Sequence, residues 1–119
     1  MNNPTTGVVQ MTVNEISKKL SLKRVSGENA PDREVTGCHI GDLLSLVMSR
    51  CNMGDIWITV QGNINVPAVC TLTDAAMVII AEGMQLDKNA AERAKSEEIP
   101  IFLSEESAYS LACKIKEYI

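Results

Sequence analysis

Two apolar runs constrain the fold of this chain more than any other feature. Ile56-Trp57-Ile58-Thr59-Val60 is β-branched and aromatic, with Gly54-Asp55 before it and Gly62-Asn63 after it. That is the pattern of a strand between turns. Ala75-Ala76-Met77-Val78-Ile79-Ile80-Ala81 is apolar without interruption. A run with no polar alternation suits a strand covered on both faces, as in a parallel sheet flanked by helices. At 119 residues the chain has the length of one domain. A domain of this size buries enough surface to fold without disulfides or a structural metal.

The stretches around these runs read as alternating helices and strands. Thr12 followed by Glu15 is a capping box and predicts a helix over 13–20, with Val13, Ile16 and Leu20 facing inward. A short strand over 22–26 stops at Gly27, and 27–32 is a polar, turn-rich loop. A strand follows over 35–40. Asp42 is placed to cap a helix carrying Leu43, Leu44, Leu46 and Val47, closed by Asn52-Met53-Gly54. Asn63 is placed to cap a helix over 64–72, where Pro67 falls early enough to be tolerated. Asp87 is placed to cap an alanine- and charge-rich helix through Glu98. After Pro100 comes a strand, Ile101-Phe102-Leu103, and Ser104 is placed to cap the last helix. There Ala108, Leu111, Ala112 and Ile115 keep helical spacing. The alternation from Val35 onward predicts an α/β fold: a three-layer α/β/α sandwich around a mostly parallel five-stranded sheet. Residues 1–10 read as a disordered lead-in and 11–119 as the single folded domain.

Charge and composition exclude several functions. Fifteen acidic residues against eleven basic ones leave a net charge of −4, which argues against nucleic acid as a partner. The only aromatic residues are Trp57, Phe102, Tyr109 and Tyr118, too few for a base-stacking platform. No stretch is long and apolar enough to cross a membrane, and the first ten residues lack the pattern of a secretory signal. The expected location is the cytoplasm. Cys38, Cys51, Cys70 and Cys113 include no C-x-x-C pair, so they read as reduced thiols rather than as metal ligands. Cys38 and His39 are neighbours on a predicted strand, and neighbours on a strand point to opposite faces. No phosphate-binding glycine motif is present, and no cofactor is expected.

The blocks Asp32-Arg33 with Val35-Thr36-Gly37, Asp42-Leu43-Leu44-Ser45 with Val47-Met48, Gly54-Asp55 with Trp57-Ile58-Thr59, and Glu98-Ile99-Pro100-Ile101 together resemble the DRTGG-domain family. The resemblance runs from about Met11 to Ile119. It departs from the family at Cys38, where a second glycine stands in the motif, and at Gln61-Gly62-Asn63, where close relatives carry a histidine. The resemblance implies a fold similar to the N-terminal domain of HPr kinase/phosphorylase. It implies a regulatory module with no catalysis of its own, commonly making dimer contacts. Such domains occur as inserts in pyrophosphatases with CBS domains. They also occur as small separate proteins of anaerobic bacteria, near iron hydrogenase and signalling kinase genes.

The candidate binding or interface residues are Asp32, Arg33, Thr36, Gly37, His39, Asp42, Gln61 and Asn63. Asp32 can accept backbone N–H groups two or three residues on, as an Asx-turn. Arg33 can fork onto a carboxylate of another element or chain. Gly37 inside a strand marks a bulge or a close backbone approach. These three serve either as a stiffened corner or as a partner contact. His39 serves either as a hydrogen-bonded structural residue or as a base, and a base needs an oriented partner and a nucleophile. In open α/β sheets ligands favour the crevice beyond the carboxyl ends of the strands. Here that crevice is bordered by 39–42, 61–63, 82–83 and 104–105. Asp42, Glu82, Glu105 and Glu106 cluster on the same rim and oppose a phosphate-rich ligand there. Three functions stand side by side: a homodimeric non-catalytic regulatory module, a sensor of a small molecule such as an adenine nucleotide, and an accessory protein of an iron hydrogenase system.

Overall fold

The structure, a computed structural model, describes residues 10–119. The lead-in read over 1–10 lies outside the described residues except for Gln10. Ten elements follow in order: α1 (Val13–Lys19), β1 (Lys23–Ser26), β2 (Gly37–Ile40), α2 (Leu44–Arg50), β3 (Asp55–Thr59), α3 (Asn65–Thr73), β4 (Met77–Ile80), α4 (Lys88–Ser96), β5 (Ile101–Leu103) and α5 (Ala108–Ile115). The strands form one sheet in the order β1-β5-β4-β3-β2. β2, β3, β4 and β5 run parallel, and β1 lies antiparallel against β5. The predicted mostly parallel α/β/α sandwich is the observed architecture.

The two apolar runs occupy the middle of the sheet. All five residues of β3 and all four of β4 are buried. Their alternate side chains feed two cores. Ile56, Ile58, Met77 and Ile79 pack with Phe102 against Val13 and Ile16 of α1 and Leu111 and Ile115 of α5. Trp57, Val78 and Ile80 pack on the other face against Val47 of α2, Val66 and Val69 of α3, and Ala94 of α4. Period-2 side-chain alternation thus places the βαβ crossover helices on one face and the two terminal helices on the other. β2 is left as an open edge.

Three expected caps, at Asp42, Asn63 and Ser104, are corrected. The Asp42 carboxylate does not cap α2, whose cap position is Leu43 with no side-chain bond. It accepts instead from Thr59 Oγ1 at 2.7 Å and Val60 N at 2.8 Å. Asn63 does not cap α3, whose cap position is Ile64 with no side-chain bond. Its Oδ1 accepts from Asn65 N instead. Ser107, not Ser104, caps α5, accepting from Ser110 N at 3.1 Å. Ser104 Oγ accepts from Glu106 N two residues on, as a turn hydroxyl does. Asp87 holds the cap position of α4 as read, without a side-chain bond. The capping box on α1 is present as read, with Thr12 and Glu15 bonded reciprocally.

Candidate functional site

The eight candidate residues fall into two groups at opposite ends of the sheet, with His39 on the open edge between them. At the amino end, the loop from β1 to β2 crosses beneath the strands. Asp32 sits there, but not in the expected Asx-turn. Its Oδ1 accepts from Asn14 N, eighteen residues back, at 2.9 Å. The free N–H groups of a helix N-terminus attract a carboxylate, and the loop brings Asp32 up to those of α1. The backbone reinforces this contact, with Val13 N donating to Arg33 O and Val35 N to Met11 O.

Arg33 turns the other way. Its Nη1 donates to Asp74 Oδ1 at 3.0 Å and to Ala75 O at 3.3 Å, and its Nη2 donates to Asp74 O at 3.1 Å. Asp74 ends α3 in the left-handed region, with φ 57°. Thr36 Oγ1 donates to Met53 O, and Thr36 N to Gly54 O. Gly37 opens β2 rather than sitting inside it. A Cβ on Gly37 would lie 2.5 Å from Asp55 Oδ1. Asp55 is itself buried, and its other oxygen accepts from Asn52 N at 2.8 Å. The corner is thus consumed by internal bonds.

Asp42, Gln61 and Asn63 meet at the carboxyl ends of β2 and β3. Besides the two bonds to the Asp42 carboxylate, Gln61 Nε2 donates to Asp42 O at 2.8 Å. Asn63 Nδ2 donates to Gln61 Oε1 at 2.6 Å, and Asn65 N donates to Asn63 Oδ1 at 2.9 Å. Gly62 lies against the β4–α4 loop: Asp87 N donates to its carbonyl, and a Cβ there would overlap Gln85 O. The crowded acidic rim of the sequence reading is split. Asp42 serves the β2–β3 end, while Glu82, Glu105 and Glu106 sit beyond β4 and β5. Hydrogen bonds from Lys114 and Ser110 hold the Glu106 carboxyl below the usual carboxylate range.

Cys38 and His39 face apart. His39 is half-buried and lies beside Trp57 in the ladder, on the α2 face. Cys38, with Ile40, lines a groove of about 280 Å³ against Ala112, Ile115, Lys116 and Ile119. Although Cys38 is exposed at the sheet edge, partial desolvation, then the Asp55 carboxylate and Cys51, push its thiol up to about 11. A thiol so raised stays protonated at neutral pH and is a weak nucleophile. No three His, Cys, Asp or Glu side chains among the described residues come together as a metal site. The sequence reading missed Thr59, Asp55 and Asp74, the partners on which Asp42, Gly37 and Arg33 depend. Each lies 17 to 41 residues away, beyond any local pattern.

The fold and the two ends define a layered, mostly parallel α/β module whose motif residues knit its elements together. No known family's sequence profile matches the chain, and no curated protein does. Among solved structures it is similar to the CBS and DRTGG domains of the regulatory region of Clostridium perfringens pyrophosphatase, complexed with the activator diadenosine tetraphosphate. The TM-score is 0.68 at 16% identity, covering 91% of this chain and 47% of that one. The chain thus spans about half the length of that structure, and the likeness establishes a DRTGG-like fold.

Proposed function

We propose that this chain is a non-catalytic regulatory and interaction module of the DRTGG type that works as a homodimer. The observation that carries the reading is the likeness of nearly the whole fold to half of a pyrophosphatase regulatory region. The fate of the motif residues supports it. Asp32, Arg33, Thr36, Asp42, Gln61 and Asn63 bond to backbone and side chains of this chain. Among the described hydrogen bonds none orients His39 as a base requires. The same reading makes residues 11–119 one domain acting in the cytoplasm. No helix of the described residues is long and apolar enough to cross a membrane.

The open β2 edge supports the dimer. Unpaired strand edges pair with other chains unless they are blunted. β2 carries no proline and no lysine, and Ile40 and Leu43 beside it are 49% and 63% exposed. Light scattering after gel filtration at micromolar concentration tests the reading. The expected mass is twice the 12.9 kDa of the chain, falling to one chain in Ile40→Asp. A wild-type monomer removes the dimer.

A second reading, sensing of an adenine nucleotide, draws on the diadenosine tetraphosphate in the neighbouring structure. Nucleotide at roughly 100 times its Kd adds about 2.7 kcal/mol of stability, visible as a raised Tm. An unchanged Tm at millimolar nucleotide rejects it. The accessory role toward an iron hydrogenase rests on the family resemblance alone.

A further inference from the structure

The carboxyl ends of β4 and β5, part of the strand-end rim read from the sequence, border a crevice of their own. It has a volume of about 220 Å³ and is lined by Ser21, Lys23, Gln85, Leu103, Ser104 and Glu105. This is where ligands of open α/β sheets sit. Two of its walls carry opposite charge. Lys23 begins β1 and Glu105 follows β5. Among the described residues neither is in an ion pair, with the other or with any third group. The Ser104 hydroxyl accepts from Glu106 N, and its own O–H is left to donate. Gln85 supplies an amide and Leu103 a half-buried apolar wall.

The crevice is built on stiff backbone. Ser21 turns from α1 to β1 with φ 53°, and Glu82 and Gly83 turn away from β4 with φ 63° and 71°. Glu82 N donates to Glu106 O, and Gly83 N to Ser104 O, at 2.8 and 2.9 Å. A Cβ on Gly83 would lie 2.9 Å from Glu105 Oε1, so the carboxylate rests against bare backbone. Left-handed residues other than glycine cost energy and gather at functional sites.

We infer that this crevice binds a small zwitterion of the α-amino acid class. Lys23 takes the ligand carboxylate, Glu105 its ammonium, and Leu103 the first carbons of its side chain. At about 220 Å³ the space falls below the roughly 300–1,000 Å³ of drug-sized sites and matches a ligand of a few heavy atoms. The inference is independent of the dimer and of nucleotide sensing, since it uses neither the β2 edge nor phosphate chemistry.

The test is a titration of the full chain with each of the common L-α-amino acids, read by amide NMR shifts. Acetate and methylamine serve as half-ligands. The expected result is saturable binding of at least one amino acid, with shifts centred on 21–23, 83–85 and 103–105. Lys23→Gln and Glu105→Gln should each weaken it at least about tenfold, and the half-ligands should bind at least about tenfold more weakly. Both side chains are exposed, and dispersed spectra of the variants confirm that they fold. No shifts at roughly 10 mM of any amino acid, well above a millimolar Kd, overturn the inference. Binding that survives both substitutions does the same.

Discussion

Arg33 and Asp74, 41 residues apart in sequence, are joined through both a carboxylate and a carbonyl oxygen at the amino end of the sheet. The side chains are 33% and 59% exposed, so the ion pair by itself contributes only about 0–1 kcal/mol. The greater part comes from the bonds to Asp74 O and Ala75 O, which tie the end of α3 to the loop entering β2.

Arg33→Ala should therefore destabilise by about 1–2 kcal/mol, lowering Tm by roughly 4–10 °C. Asp74→Asn keeps the backbone acceptors and tolerates the left-handed conformation, so it should cost less. Thermal unfolding followed by circular dichroism reads both. Equal losses in the two variants would assign the effect to charge alone.

Gly37→Ala forces a methyl against the Asp55 carboxylate, which its bond to Asn52 N holds in place. The cost should be about 1–3 kcal/mol. In an Asp55→Ala background the clash is gone and the same substitution should cost at least about 1 kcal/mol less. Urea unfolding of the four proteins gives the cycle. Additive losses would mean that the crowding lies elsewhere.

Asp42→Ala leaves Thr59 Oγ1 and Val60 N without their acceptor. A loss of about 1–3 kcal/mol is expected, with faster hydrogen exchange at the Val60 amide. The Gln61 side chain bonds the backbone carbonyl of residue 42, so that contact survives the substitution. An unchanged Val60 exchange rate would remove Asp42 as the tie between β2 and β3.

Burial, then Cys51, push the Cys70 thiol up from 9.0 to about 12. A folded-state pKa above the unfolded one means that the folded chain holds the proton more tightly. The stabilisation is complete below pH 9.0 and is lost as pH rises from there toward about 12. Denaturant unfolding across this window should show wild-type stability falling more steeply than that of Cys70→Ala, which lacks the titrating group. Parallel slopes would show that the thiol does not titrate with folding.

The sequence was most legible where a local pattern answered to a local force. The unbroken apolar run at 75–81 is β4, the middle strand of the sheet, because only a strand covered by helices on both faces can bury every side chain. Thr12 and Glu15 formed their capping box because both partners lie within one turn. Caps were misread where a nearer or stronger partner competed. Asp42 stands one residue before the cap position of α2, and the end of β3 offered it a buried hydroxyl and a free N–H. Ser107 outcompeted Ser104 because the chain leaves β5 through an extra turn, tied back to the β4 end by Glu82 N and Glu106 O.

By itself, then, the amino-acid sequence determined the layers and the parallel sheet, since hydrophobic periodicity and turn chemistry act between near neighbours, while the resemblance to the DRTGG family rests on its motif blocks. The tertiary structure alone decided what Asp32, Arg33, Gly37 and Asp42 touch. It alone brought Lys23 to face the same crevice as Glu105. Those contacts link residues whose separation along the chain carries no periodic signal, and they exist only once the sheet has set its strand order.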